Sequence, residues 1–264
     1  MKRYAVKDIF LTVQGEGSRA GCSAVFVRLA GCNAWSGDPA HRNRDYARTG
    51  AECARWCDTD FRVDASTARL TAPELAQRVA ALQPTRGRRV VITGGEPLLQ
   101  VDAELMAALN LGGALVSMET NGSVLPAWEP EERDVILDLL TVSPKRGLPL
   151  ALVVDAADHA RRVAREVELK VVLPGAARGD GWSDLELAVI AAKLQPDHLY
   201  VQPQDPVDPE TVSATRLVRG HGSTAAQRLL QAQFVENVRR CLGFVHANPA
   251  WRLSCQTHKF LGLP

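Results

Sequence analysis

The run Cys53-Ala-Arg-Trp-Cys57-Asp-Thr-Asp-Phe61, together with Cys32, holds three of the six cysteines of this chain within the segment 31–61. Cys32 closely follows the apolar stretch Ala24-Val-Phe-Val-Arg-Leu29, which is typical of a buried strand. Three thiolates after a strand can occupy three positions of a metal or iron-sulfur site and leave one position open for another ligand. An open position indicates chemistry rather than a purely structural site.

Two other interpretations of these cysteines stay open at this level. They could be ordinary reduced thiols, or they could form half of a structural zinc site that His41 or a remote histidine completes. Closed zinc sites normally contain paired cysteine motifs and four ligands, and the sequence contains no second pair. Cys22, Cys241 and Cys255 are scattered singly and are interpreted as structural thiols.

Length and composition predict one soluble globular domain, residues 1–264. Of the 264 residues, 46% are hydrophobic and 23% are charged, which is enough to bury a substantial core. A net charge of +1, with acidic and basic residues interspersed, gives no basic face for nucleic acid or anionic lipid. The N-terminal residues lack an apolar signal core, and no run of about 18 apolar residues could span a membrane. We therefore expect a cytoplasmic protein whose cysteines stay reduced.

Short apolar runs alternate with amphipathic segments along the chain. Six runs predict buried strands: 24–29, 89–93, 114–119, 134–139, 169–173 and 198–202. Capping boxes at Thr71 and Ser183 predict helices that end near Leu82 and Leu194. Alternating strands and helices predict a parallel sheet, and six such strands indicate an incomplete, open relative of the eight-stranded barrel.

Three more segments complete the secondary-structure prediction. A long helix is predicted from Ala225 to about Ala247, and one face of it should pack on the outside of the sheet. The residues of that face are Leu230, Phe234, Val238, Cys241, Leu242 and Val245. The segments 33–52 and 203–222 are polar or rich in proline and glycine, and both are predicted to be loops.

Polar motifs follow the predicted strands at their carboxyl ends. Thr93-Gly-Gly-Glu-Pro97 follows the second strand; its glycines let the backbone approach a ligand, and its glutamate supplies a carboxylate. Glu119, Ser143-Pro-Lys145 and Gln202-Pro-Gln-Asp205 follow later strands. Such residues often only cap a strand or form a turn. In a parallel barrel, however, the carboxyl ends of all strands form one ligand-binding face.

The cysteine segment and the motif at 93–97 together resemble the radical S-adenosylmethionine (SAM) enzymes. That family has three cysteines after its first barrel strand, with an aromatic residue, here Trp56, before the last. The spacing differs, since twenty and three residues separate the cysteines here rather than three and two. The resemblance implies an open (β/α)6-type barrel with shortened or missing helices, and a 4Fe-4S cluster on Cys32, Cys53 and Cys57. The implied SAM-binding residues are Gly95, Glu96, Glu119, Ser143, Pro144, Lys145, Gln202, Pro203, Gln204 and Asp205.

The segments 6–17, 24–33, 57–61 and 251–259 resemble the 7-carboxy-7-deazaguanine synthase family of queuosine biosynthesis. The resemblance implies a lyase that converts 6-carboxy-5,6,7,8-tetrahydropterin to 7-carboxy-7-deazaguanine, releases ammonia and regenerates its SAM. It also implies a homodimer, an electron donor similar to flavodoxin or ferredoxin, and Mg2+ on Thr59. The implied substrate contacts are Val13, Gln14, Gly15, Glu16, Arg28, Thr93 and the carboxylate of Pro264.

The C-terminal tail, 251–264, is expected to close the site, because its apolar residues suit a packed tail better than a solvated one. The segments 33–52, 155–166 and 206–227 are longer than their counterparts in the family or are specific to this chain. Two alternative functions stay open. A glycyl-radical-enzyme activating protein would share the cysteine loop, whereas a zinc-stabilised binding module would have no catalytic activity.

Overall fold

A nine-stranded sheet organises the computed structural model, which describes residues 2–128, 137–155, 157–175, 181–206 and 225–263. The strands are β1 Tyr4–Val13, β2 Ser23–Leu29, β3 Ala68–Leu70, β4 Arg89–Gly94, β5 Leu115–Thr120, β6 Leu137–Val142, β7 Ala164–Leu173, β8 His198–Pro203 and β9 Arg252–Leu253. Their order is β3-β1-β2-β4-β5-β6-β7-β8-β9. β1 pairs antiparallel with β2 and β3, whereas every neighbouring pair from β2 to β9 is parallel. The predicted open parallel barrel is thus confirmed.

Helices connect and cover the parallel strands. They are α1 Arg42–Thr49, α2 Ala72–Leu82, α3 Ala103–Leu111, α4 Ala151–Val154, α5 Ala157–Val163, α6 Asp184–Leu194, α7 Ala225–Ala247 and α8 Thr257–Leu261. Both predicted capping boxes form, at Thr71 with Glu74 and at Ser183 with Glu186. A capping box fixes the start of a helix because it satisfies backbone N–H groups that the first turn leaves unpaired. Both helices also end at the predicted residues, Leu82 and Leu194.

Alternation along the strands separates the apolar core from a polar interior face. In β7, Leu169 and Val171 are fully buried in the main core, whereas Glu168 and Lys170 point to the opposite face and line cavities. Successive side chains of a strand point to opposite faces of the sheet, so one strand serves both purposes. β7 therefore carries charged groups into the interior of the barrel without disturbing the core.

Several sequence predictions need correction. The prediction of a loop at 33–52 is wrong, since this segment contains α1 and two short 3-10 helices at Pro39–His41 and Glu52–Arg55. α1 is too polar to show helical periodicity in the sequence. β1 is not among the predicted strands, and the fourth strand lies at Leu137–Val142 rather than 134–139. Residues 134–136 and 207–222 lie outside the described residues.

The long helix α7 has the predicted bounds and packs on β7, β8 and β9. Its predicted apolar face is partly wrong. Phe234, Cys241 and Phe244 are buried, whereas Leu242 is 38% exposed. The buried residues are spaced by seven and three positions, which keeps them on one face of a helix with 3.6 residues per turn.

Candidate active site

The three cysteines singled out in the sequence line one cavity at the carboxyl ends of the parallel strands. Burial raises the pKa of each thiol, that of Cys32 to about 11, and the neighbouring Cys57 thiolate raises the pKa of Cys32 and Cys53 further. Thiols of this kind stay protonated at neutral pH unless a bound metal displaces the proton. Within the described ranges, no group of three His, Cys, Asp or Glu side chains converges tightly enough for a single metal ion.

A small apolar cluster, separate from the main core, holds the cysteine segment. Trp35 and Phe61 meet edge to face with ring centroids 5.6 Å apart, and Ala51, Cys53 and Ala54 are buried with them. The backbone N–H of Cys57 donates to the carbonyl oxygen of Cys53 at 2.8 Å, which closes the turn between these two cysteines. The lengthened segment thereby folds around the cysteines rather than away from them.

The glycines of the motif at 93–97 allow β4 to pack directly on the cysteine segment. Gly94 has a φ of +138°, and a Cβ there would lie 2.0 Å from the carbonyl oxygen of Leu29. A Cβ on Gly95 would lie 2.6 Å from the Cβ of Cys32. Both positions therefore require glycine.

Glu96 lies behind the cavity wall rather than in it. Its carboxylate is 1% exposed and accepts hydrogen bonds from the N–H of Leu98 at 3.0 Å, the hydroxyl of Thr120 at 2.7 Å and the N–H of Asn121 at 2.7 Å. Burial raises the pKa of Glu96, and these hydrogen bonds oppose that effect. Glu96 thus joins the carboxyl ends of β4 and β5.

Most predicted SAM-binding residues line the cavity that contains the cysteines. They are Gly95, Glu119, Ser143, Lys145, Gln202, Pro203 and Asp205. The ammonium of Lys145 donates to the hydroxyl of Ser143 at 2.7 Å. Pro144 and Gln204 are buried and, like Glu96, are not part of the lining. The buried side-chain oxygen of Gln204 has no hydrogen-bond partner among the described residues.

A second cavity adjoins the first, and six residues line both: Glu16, Asp58, Thr59, Thr93, Glu119 and Gln256. It contains the predicted substrate contacts Val13, Gln14, Glu16, Arg28 and Thr93. Gly15 is not in the lining; its carbonyl oxygen accepts the N–H of Thr257 at 3.1 Å. Pro264 lies outside the described residues.

Buried charged side chains lie between the two cavities. The residue at their centre, Lys170, was not among the site residues predicted from the sequence. Lys170 donates to Glu16 and lies 3.5 Å from Glu119, which in turn accepts hydrogen bonds from Gln14 at 3.2 Å and Thr93 at 3.1 Å. Burial lowers the pKa of Lys170, but the surrounding carboxylates outweigh burial and raise it. The available signal was a lysine in the otherwise apolar run 169–173, because a charged side chain in a buried strand needs a partner.

The C-terminal tail lies against the second cavity, which Gln256, His258 and Lys259 help to line. The ammonium of Lys259 donates to Asp205 at 2.7 Å, to Gln256 at 2.9 Å and to Asp58. Asp58 follows the last cysteine of the segment, and Asp205 follows the last long strand. Lys259 therefore joins both sides of the site.

Comparisons with known proteins identify relatives of this chain. The chain is 37% identical to the 7-carboxy-7-deazaguanine synthases of Burkholderia multivorans and Bordetella pertussis, over 99% of each chain. A crystal structure of QueE from Escherichia coli superposes with a TM-score of 0.58 at 23% identity and covers 96% of this chain and 93% of that one. No family model matches the chain. None of the helices in the described ranges has the length and apolar character needed to cross a bilayer.

Proposed function

The chain belongs to the 7-carboxy-7-deazaguanine synthase family, and on that premise we propose that it converts 6-carboxy-5,6,7,8-tetrahydropterin to 7-carboxy-7-deazaguanine and releases ammonia. It is an enzyme of queuosine biosynthesis with radical SAM chemistry, a 4Fe-4S cluster and SAM. Neither a glycyl-radical-enzyme activating protein nor a zinc-stabilised binding module is favoured by the relatives. The observation that carries the proposal is that three cysteines line one cavity, which adjoins a second cavity containing Arg28.

The donor set fits an iron-sulfur cluster on Cys32, Cys53 and Cys57. The three thiols are partly or fully buried and line one cavity, and thiolates are the ligands that hold iron-sulfur clusters. Cys32, Cys53 and Cys57 would hold the cluster, which would pass one electron from an external reductant to SAM and so supply radical chemistry at this site. Trp35 and Phe61 form an apolar part of the wall beside these cysteines.

SAM would lie along the carboxyl ends of the parallel strands. The backbone of Gly95 approaches the cysteine segment closely enough to hold the amino acid part of SAM beside the cluster. Glu119, Ser143, Lys145, Gln202 and Asp205 supply polar groups along the same wall, with Pro203 among them. Glu96, Pro144 and Gln204 would act from behind this wall; Glu96 does so by fixing the turn after β4.

The substrate would occupy the second cavity, with its carboxylate on Arg28. Arg28 makes no ion pair with any described residue, and its guanidinium lies 5.8 Å from the centre of the Phe10 ring. A guanidinium presents a fork of N–H groups that matches a carboxylate. Gln14, Glu16 and Thr93 would contact the pterin, and Val13 and Gly15 would frame it. The carboxylate of Pro264 is a further proposed contact.

We assign Mg2+ to Thr59 as part of the same proposal. Thr59 lines both cavities, and its hydroxyl makes no hydrogen bond within the described part of the chain. Among the described residues, the Thr59 hydroxyl therefore does not cap a turn. Mg2+ prefers oxygen ligands and keeps several waters, so one hydroxyl and substrate oxygens suit it. An electron donor similar to flavodoxin or ferredoxin and a homodimeric state complete the proposal.

Anaerobic reconstitution with iron and sulfide tests the assignment. The wild-type chain should gain visible absorbance and an EPR signal on reduction, and should form the deazapurine from the carboxylated pterin with SAM and a reductant. Cys53→Ala and Cys57→Ala should each lose the cluster, whereas Cys22→Ala, outside the cysteine segment, should keep it. Full iron content in the Cys53→Ala variant, or a colourless wild-type protein with one zinc, would overturn the proposal.

A further inference from the structure

The lengthened segment between Cys32 and Cys53 contains an arginine that holds the backbone of the cysteine turn. Arg42 is the first residue of α1, and its two terminal nitrogens donate to the carbonyl oxygens of Ala54 and Cys57, each at 2.8 Å. Ala54 is the first of the three residues between Cys53 and Cys57, and Cys57 follows the last of them. One side chain thus fixes the backbone at two points of this turn.

Packing fixes the guanidinium itself. Its central carbon lies 4.4 Å from the centre of the Trp35 ring, which is 2% exposed and belongs to the apolar cluster around the cysteines. Stacking on an aromatic face and two parallel hydrogen bonds are what a planar guanidinium provides and a lysine ammonium does not. α1 also packs on the 3-10 helix Glu52–Arg55, so the position of Arg42 is set from both sides.

We propose that Arg42 is a positioning residue for the iron-sulfur cluster, with two separable effects. Its hydrogen bonds set the distance between Cys53 and Cys57, and its positive charge beside their backbone favours the more negative, reduced state of the cluster. Net charge and hydrogen bonding around a cluster set its reduction potential. The inference rests on the proposed assignment of the cluster to Cys32, Cys53 and Cys57. It also gives the lengthened segment a role, since a turn of three residues rather than two needs added restraint.

Two substitutions separate the effects. Arg42→Gln removes both the fork and the charge; it should lower cluster retention against a chelator about ten- to a hundredfold, as losses of outer partners of metal sites do. The cluster that does assemble should have a more negative midpoint potential. Arg42→Lys keeps the charge; it should also retain the cluster poorly but keep a midpoint potential near that of the wild type. Arg48→Gln is the matched control, because Arg48 is exposed on the same helix.

Iron per chain and redox titration followed by EPR give the two readouts, and thermal unfolding of each apoprotein reports on folding. Equal iron retention and equal potential in Arg42→Gln and the wild type would overturn this inference and leave the proposed function standing. If Arg42→Gln does not fold, Arg42→Lys decides: wild-type retention in that variant overturns the inference. A wild-type chain without any cluster would instead overturn the proposed function and this inference with it.

Discussion

Lys259 offers the sharpest test of the prediction that the tail closes the site. Its ammonium donates to Asp205, which is 1% exposed in its side chain, and to Asp58, which is 22% exposed. Burial lowers the pKa of Lys259, but the two carboxylates outweigh burial and raise it, so the lysine is charged at any working pH. Replacing it with methionine keeps most of the apolar stem and leaves both carboxylates without this partner.

The expected loss in stability of the closed tail follows from the burial of Lys259 and its two carboxylates. Removing one partner of a buried ion pair costs about 3 to 5 kcal/mol, and the partial exposure of Asp58 places this site at the lower end, at about 3 kcal/mol. The five-residue helix α8 cannot stand alone, so the loss should appear as opening of the tail rather than as global unfolding. About 3 kcal/mol corresponds to roughly a hundredfold larger open population.

Hydrogen exchange measures that population. The N–H of Leu263 donates to the carbonyl oxygen of His258 at 2.9 Å, and its protection should fall about a hundredfold in Lys259→Met. The Michaelis constant for the pterin should rise, while the chain still assembles its cluster and binds SAM. Lys193→Met, an exposed position on α6, is the control. Unchanged protection of Leu263 in Lys259→Met would refute the reasoning.

Three further outcomes are expected. Thr59→Ala should keep its cluster but lose the stimulation by Mg2+; unaltered stimulation would remove Thr59 from the proposed metal site. Burial raises the pKa of Glu16, but Lys170 outweighs burial and lowers it to about 2. This pair therefore stabilises the fold at pH values above 4.5, the ordinary pKa of a glutamate, and loses that effect as the pH falls towards 2. The free energy of unfolding in urea should therefore depend less on pH in Lys170→Met than in the wild type. An equal pH dependence in the two proteins would contradict this. A tag added after Pro264 should weaken substrate binding about ten- to a hundredfold, in contrast to an N-terminal tag, and equal affinities would argue against its carboxylate as a ligand.

The parts of the fold that the sequence predicted well depend on local signals. The capping boxes at Thr71 and Ser183 set helix starts because cap and partner lie within one turn. The gathering of Cys32, Glu119 and Gln202 on one cavity follows from topology, since parallel strands place their carboxyl ends at the same edge. Both predictions require only knowing which segments are helices or strands. They do not require knowing which segments contact one another in space.

The parts that it could not predict depend on contacts between distant segments. Lys259 is 201 residues from Asp58, and Lys170 is 154 residues from Glu16, so no local pattern pairs them. A motif can also give the chemistry of a residue without its direction. The sequence around 93–97 indicated a carboxylate at a ligand site, whereas the side chain of Glu96 is held behind the wall by three donors.

These long-range contacts predict that the proposed cluster, SAM and substrate regions depend energetically on one another. Lys259 touches Asp58, which is bonded to the last cysteine of the segment, and Asp205, which lies on the proposed SAM wall. Coupling through a shared contact is reciprocal. If ordering of the cysteine turn stabilises the closed tail, closing of the tail stabilises the ordered turn by the same free energy. Because the tail also lines the second cavity, which is the proposed substrate site, a chain with its cluster in place should bind the pterin more tightly than the apoprotein does. The coupling needs no direct contact between cluster and pterin, since one ammonium spans the two regions.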